Sequence, residues 1–406
     1  MAEEVVGLVH HLADMEPQLL GWFHGPSLFA VGDARNRPGA GRPLASLLNR
    51  RSNCGVEVPP SLVWDAYARA LPSMLDAIGR TPLVRLSRVA PEGLSLLAKI
   101  EWFGPTGSTK DRIYRHMIER AEERGDLHPG MTIVESTTGN AGIACSAVAA
   151  IKGYDCIIVM PHGMSLERKR MIEAYGAELV LTPGAGTDID LAIARMREIV
   201  ATDPDRYFVP AEFENPDNPL AQTISGEEIW QQSGGQLDAV VAAQGTGGWI
   251  TGVARALKAY DREIRAYAVE PAECPLISEQ RWGTHGVPGI GDGIVPHNLD
   301  LGLMDGIVTA STDEALEMAH RLARDEGILG GPSSGMNVAA ALKVAEKHPE
   351  YATIVTVVPD TGQRYLSGEL FGERPEEPAS PDRDHSVDPD SLRQIEANRD
   401  RLEFIS

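Results

Sequence analysis

Thr132-Ile133-Val134-Glu135-Ser136-Thr137-Thr138-Gly139-Asn140-Ala141-Gly142 reads as a short strand, a polar turn and the start of a helix. The opening residues are β-branched and uninterrupted, and a helical pattern follows over Ala141–Ile151. Between the two, hydroxyls, a glycine and the free N–H groups of a helix N-terminus form a small anion site suited to a carboxylate. The same residues also suit a plain N-cap turn. The unit recurs along the chain. Leu96–Ile100, Cys156–Met160, Leu179–Leu181, Ala239–Ala243, Ala266–Val269 and Thr353–Val358 are continuously apolar, as parallel strands covered on both faces are. Leu166–Tyr175 and Leu191–Val200 are long enough to be crossover helices. From Ile78 to Phe371 the expected class is therefore α/β, with mostly parallel sheet flanked by helices.

Composition excludes more than it assigns. The chain has 406 residues, 43% of them apolar, and a formal charge of −21 from 37 basic and 58 acidic residues. That balance speaks against nucleic acid as a partner, because phosphate binding rests on Lys and Arg clusters. No apolar run reaches the roughly 18 to 20 residues of a membrane helix, and Met1-Ala2-Glu3-Glu4 lacks the basic start of a secretory signal, so a cytoplasmic location is expected. Cys54, Cys145, Cys156 and Cys274 are too scattered for a metal site or a disulfide framework. Residues 1–75 read as a partly helical N-terminal extension without a catalytic constellation, with a helix capped by Ser61. Residues 372–406 read as an acidic, Pro-rich tail, disordered or loosely docked, with a short helix from Ser391 to Arg401.

Three further segments carry chemistry-bearing residues. In Gly104-Pro105-Thr106-Gly107-Ser108-Thr109-Lys110-Asp111-Arg112 the lysine falls on the first turn of a helix, where the positive dipole end disfavours protonation and a nucleophilic amine results. An ordinary solvated helix start has the same pattern. Gln244-Gly245-Thr246-Gly247-Gly248-Trp249 lies between a strand and a helix, so its backbone can approach a phosphate. It has neither the Gly-Lys-Ser/Thr of a Walker loop nor dinucleotide-binding glycine spacing. Gly330-Gly331-Pro332-Ser333-Ser334-Gly335 opens a helix, and a serine there caps it or meets a ligand.

These segments, in this order and spacing, resemble the fold-type II pyridoxal-phosphate family of cysteine synthase and cystathionine β-synthase over about residues 74 to 371. Quieter stretches share the resemblance: Ile78 to Leu86, Met164-Ser165-x-Glu167-Arg168, Asn215-Pro216-x-Asn218-Pro219, Gly289 to Gly293 and Pro359 to Tyr365. It implies two interleaved lobes within a catalytic domain at 76–371, pyridoxal 5'-phosphate as cofactor, and a homodimer. Lys110 matches the Schiff-base lysine and Asn140 the partner of the cofactor's phenolic oxygen. Gly245, Thr246, Gly247, Gly248 and Trp249 match the phosphate cup, and Ser333 the partner of the pyridine nitrogen. Thr137, Thr138, Gly139 and Ala141 fall on the loop that holds the substrate carboxylate. The implied reaction is β-replacement through an aminoacrylate on O-acetylserine or O-phosphoserine, with sulfide or another small nucleophile. A β-eliminating lyase or dehydratase, and a condensation with a thiol or amine as in cystathionine β-synthase, are the alternatives. A non-catalytic cofactor-binding protein is disfavoured by Lys110.

The chain departs from the family in four places. Thr138 stands where relatives have serine, Ala141 where they have threonine, and Trp249 where they have a small hydroxyl residue. Glu212 occupies the position of a glutamine that donates to the substrate carboxylate, which an ionised carboxylate cannot do.

Overall fold

The structure is a computed structural model that describes residues 70–406 apart from 185–187, 292, 369 and 373–386. Most of the N-terminal extension, including the Ser61 helix, lies outside the described residues. The chain runs through β1 (Leu83–Arg85), β2 (Ser95–Ile100), α1 (Lys110–Arg124), β3 (Thr132–Ser136), α2 (Asn140–Lys152), β4 (Asp155–Pro161), α3 (Leu166–Ala174) and β5 (Glu178–Thr182). It continues with α4 (Ile189–Thr202), β6 (Tyr207–Phe208), α5 (Asp217–Gln232), β7 (Ala239–Ala243), α6 (Gly248–Tyr260), β8 (Arg265–Pro271) and α7 (Leu276–Glu279). Then come β9 (Gly306–Ala310), α8 (Thr312–Glu326), α9 (Pro332–Lys347), β10 (Thr353–Val358), α10 (Pro389–Asn398) and β11 (Glu403–Ile405).

Two sheets result. One has seven strands in the order β1-β2-β10-β7-β8-β9-β11, and the other four in the order β5-β4-β3-β6. Every pairing is parallel except that of β1 with β2. β3 is buried along its whole length, and β7, β8 and β10 nearly so, which is why these runs are apolar without alternation. α2 buries Ala141 through Ala149 between β3, β4 and its neighbouring helices, so it is apolar all round and lacks a polar stripe.

Each apolar run named above is a strand here, with a residue or two added at some ends. The tail differs from the expectation. α10 forms close to the expected place, but Glu403–Ile405 then pairs with Gly306–Val308 and becomes an edge strand of the larger sheet. Leu402 and Ile405 are buried there, and Ile395 of α10 is fully buried. A composition poor in apolar residues concealed this, because a few well-placed side chains and a strand ladder suffice to dock a chain end.

A buried ionic cluster ties the lobes together. The Glu228 carboxylate on α5 accepts from Lys99 Nζ of β2 (2.7 Å) and from Arg112 Nη1 and Nη2 of α1 (2.9 and 2.8 Å). It also accepts the backbone N–H groups of Arg80 and Thr81 (2.9 and 3.3 Å). Arg112 Nε donates to Glu101 Oε2 at 2.8 Å, and Lys99 is 0% exposed. Burial alone raises the pKa of Glu228, but the attraction of Arg112 and Lys99 outweighs it and holds the carboxyl at about 2.

Glu228→Ala leaves two buried cations without their shared partner and is expected to cost about 3–5 kcal/mol in urea unfolding. The folded pKa lies below the ordinary 4.5, so the unfolded chain takes up this proton first as pH falls. Glu228 therefore contributes fully above pH 4.5 and progressively less toward about 2. The Glu228→Gln variant should show a shallower loss of stability across that window, and an unchanged slope would remove Glu228 from this role.

Candidate active site

Loops leaving the C-terminal ends of β2, β3, β7 and β10 converge on one cavity, where parallel α/β sheets generally bind ligands. Lys110, the first residue of α1, opens on it. Its position is set from both sides. Thr109 N–H donates to Pro359 O at 2.8 Å, and the buried Asp111 carboxylate takes the Thr106 N–H at 3.1 Å and the Thr106 hydroxyl. Burial pushes Asp111 up to about 6 despite these bonds. One residue further on, Arg112 anchors α1 to Glu228.

Lys110 Nζ lies 2.8 Å from Glu212 Oε2, with the lysine side chain 20% and the glutamate 4% exposed. The orientation of Glu212 is held by its backbone. Ala211 before it is in the left-handed region at φ 55°, a strained conformation for a residue with a side chain. The Glu212 carbonyl accepts from Asn218 Nδ2 (2.7 Å) and Asn298 Nδ2 (2.8 Å). Close by, Glu135 is pushed up to about 8 by burial and then by the Glu212 charge, so it is mostly protonated at neutral pH. Its Oε2 receives the Tyr114 hydroxyl at 3.1 Å.

Thr137, Thr138, Gly139, Asn140 and Ala141 line the cavity beside Lys110. Thr137 Oγ1 accepts from the Gly139 and Gly142 N–H groups (3.0 and 3.3 Å), so the turn is capped while the loop still faces the cavity. The two sequence readings of this loop are compatible. The Asn140 amide is gripped at both ends: Nδ2 donates to Asp360 Oδ2 at 2.6 Å, and Arg364 Nη1 donates to Oδ1. Asp360 Oδ2 also takes the Tyr365 hydroxyl at 2.6 Å.

Across the cavity, Gly245, Thr246 and Gly247 of the turn from β7 and Trp249 of the first turn of α6 line the space, while Gly248, the first helical residue, does not. Gly247 has φ +75°, and a Cβ there would lie 2.6 Å from the Leu299 backbone nitrogen, so a side chain is excluded twice over. Thr246 Oγ1 accepts from Asn218 Nδ2 at 3.0 Å, which joins this turn to the Glu212 segment. The Trp249 indole packs partly against the core and leaves Nε1 buried without an acceptor. Ser333, near the start of α9, lines the cavity, whereas Ser334 is fully buried away from it.

Sequence reasoning gave no role to Arg168, Asn337, Asp360 or Tyr365. Asn337 accepts the Ala243 N–H (2.6 Å) and donates to Val357 O (2.9 Å), fixing α9 against β7 and β10. Arg168, Asp360 and Tyr365 stood within segments that carried the family resemblance, but spacing along the chain could not reveal that Arg168 meets Tyr365 or that Asp360 meets Asn140. Among the described residues, no group of His, Cys, Asp and Glu is arranged to hold a metal, and no helix is long and apolar enough to cross a membrane.

Comparison with known proteins bears on this arrangement. The family described as pyridoxal-phosphate dependent enzyme matches residues 74–360. A cysteine synthase of Haemophilus influenzae is 47% identical over 305 residues, 73% of this chain and 96% of its own length. Cysteine synthase A of Escherichia coli is 44% identical over 306 residues, 73% of this chain and 94% of its own. Among solved structures, an O-ureido-L-serine synthase superposes with a TM-score of 0.72 at 40% identity, covering 75% of this chain and 96% of that one. O-acetylserine sulfhydrylase isoform 3 of Entamoeba histolytica does so with a TM-score of 0.72 at 38% identity, covering 79% and 95%. The cavity fits the family's cofactor: a cradle that admits no side chain at Gly247 sits at the start of α6, opposite the amine of Lys110. With this likeness spanning nearly the whole of its relatives, the chain belongs to the cysteine synthase family of fold-type II pyridoxal-phosphate dependent enzymes.

Proposed function

We propose that the chain catalyses β-replacement on an activated serine, with O-acetylserine as donor and sulfide as the first acceptor to test, and that Lys110 is its catalytic residue. One observation carries the reading. The Lys110 amine opens on the same cavity as the Thr137–Ala141 loop and the Gly245–Gly247 turn, so an amine, an anion-binding loop and a phosphate cradle face one another. Cysteine synthases and O-acetylserine sulfhydrylases among the relatives support the donor.

When bound, pyridoxal phosphate supplies an electron sink for the α-carbon of an amino acid. The Lys110 amine would hold its aldehyde carbon, and after displacement would take the α-proton. Gly245 to Gly247 and the N–H groups opening α6 would hold the phosphate. Asn140, already fixed by Asp360 and Arg364, would orient the ring oxygen. Ser333 would offer a neutral hydroxyl to the ring nitrogen, which would not fix a positive charge there and would suit departure of a β-leaving group. Thr138 and the N–H groups of Gly139 to Ala141 would hold the substrate carboxylate.

The acceptor is less constrained than the donor, since relatives of similar identity bear the names cysteine synthase and O-ureido-L-serine synthase. Glu212 is the residue that favours a second reading. Its carboxylate lines the cavity and presents acceptor oxygens only, which suits a nucleophile carrying N–H groups.

The remaining features belong to the same proposal. Residues 76–371 would be the catalytic domain and residues 1–75 an element of assembly or solubility. Homodimerisation is supported by Leu220 and Ile224, one turn apart and exposed on α5. A cytoplasmic location is supported by the free, buried thiols of Cys145 and Cys156, whose sulfurs share a hydrogen bond at 4.0 Å.

Lys110→Ala is expected to abolish cysteine formation from O-acetylserine and sulfide, and to cost about 1–3 kcal/mol in unfolding free energy because the buried Glu212 carboxylate loses its cation. A variant that retains turnover removes Lys110 from the chemistry. For the acceptor, Glu212→Gln should raise the rate with sulfide and lower it with hydroxyurea or simple amines by about 10-fold, the worth of one hydrogen bond to a charged group. Parallel changes for every acceptor would place Glu212 outside acceptor choice.

A further inference from the structure

Lys110, Glu212 and Arg168 are the formally charged side chains that line the cavity. The first two neutralise each other at 2.8 Å. Arg168 has no counterpart of that kind among the described residues. It is 6% exposed, its Nε has no acceptor, and Nη1 makes one long contact, with Met164 Sδ at 3.9 Å. A guanidinium removed from water without a carboxylate is strongly disfavoured. A ring face compensates in part: Arg168 Cζ lies 5.1 Å from the centre of the Tyr365 ring.

The location of this cation is specific. Arg168 reaches from α3 across Gly139, where a Cβ would stand 2.6 Å from Arg168 Cδ and 2.7 Å from Nε. Gly139 is the N-cap of α2, so the guanidinium flanks the N–H groups that open that helix. A buried cation lacking an anion and an anion-binding helix start thus share one wall of the cavity. The neighbouring side chains bring no charge there: Ala141 has no hydroxyl, and the hydroxyls of Thr137 and Thr138 can donate to a carboxylate but are neutral. Glu212, on the same cavity, carries the wrong charge for a carboxylate.

We propose that Arg168 supplies the positive charge that binds the α-carboxylate of the amino-acid substrate, making the Thr137–Ala141 loop selective for a charged carboxylate over a neutral amide. The inference deepens the functional reading above and rests on it. Arg168 is on this account a substrate-binding residue. The loop N–H groups set the position of the carboxylate, and the guanidinium sets the charge that is accepted. The Tyr365 ring holds the guanidinium beside the loop, and the Tyr365 hydroxyl is itself tied to Asp360 and through it to Asn140.

The test uses the cofactor-loaded full chain, titrated separately with L-serine and L-serinamide at one pH, with binding followed by visible absorbance. Arg168→Met is expected to weaken L-serine by about 10- to 100-fold while changing L-serinamide by less than about 2-fold, the range for one hydrogen-bonded charge. Arg168→Lys, which keeps a charge without the planar fork, should fall between parent and Met variant for L-serine. Equal weakening of both ligands assigns Arg168 to structure alone and overturns the proposal, as does no weakening of either. Should Arg168→Met not fold, the parent protein and Arg168→Lys decide: equal affinity of the parent for the two ligands overturns the proposal, and a preference for L-serine that is reduced but kept in Arg168→Lys supports it. A parent protein whose absorbance answers neither ligand overturns the functional reading itself, which is a different result from a parent that answers L-serinamide as well as L-serine.

Discussion

The Glu228 carboxylate is the constraint on which the placement of the site depends. It is a buried anion that joins the strand before the catalytic loop, through Lys99, to the helix after it, through Arg112. Lys99 and Arg112 share it as their common counter-charge, and it could not stay dry without them. Arg112 is two residues beyond Lys110, so the same ion pairs that hold the lobes also fix the turn of α1 from which Lys110 projects. A well-packed apolar substitute can equal such a cluster in stability, but would not fix the rotation of α1 in the same way.

The remainder of the site follows from strand order. β10 comes late in the chain yet lies between β2 and β7 inside the larger sheet, which brings Pro359 to Tyr365 beside the loops that begin with Glu101 and Gln244. The loop after β10 then reaches the other lobe through the Asp360–Asn140 bond. A residue 220 positions away in sequence thereby fixes the asparagine at the head of α2. The left-handed Ala211 does the corresponding work for Glu212, and the strain is offset by two asparagine amides on the Glu212 carbonyl.

Legibility in the sequence followed burial. Strands such as Cys156–Met160 and Ala239–Ala243 announce themselves because parallel strands covered on both faces are apolar throughout. Two-residue β6 and the terminal β11 do not, since a partner's ladder defines them more than their own composition. α5 was hidden for a different reason: its buried face carries Gln222, Thr223, Ser225, Glu227 and Glu228, so no apolar period marks it. Within the site, Lys110, the Thr137–Ala141 loop and the Gly245–Trp249 turn were readable because each holds its chemistry in contiguous residues. The Lys110–Glu212 pair, the double grip on Asn140 and the unpaired charge of Arg168 were not, because each is a contact between segments that only the fold brings together.

The account's central claim is that the geometry fixed by Glu228 and Arg112 makes Lys110 the residue that carries the cofactor. Borohydride reduction of the pyridoxal-phosphate-loaded protein, followed by peptide mapping, reads that claim directly because it fixes the cofactor permanently to the lysine that holds it. The account predicts the added mass on the peptide containing Lys110 and on no other lysine. Labelling of a different lysine, or of none, would contradict it.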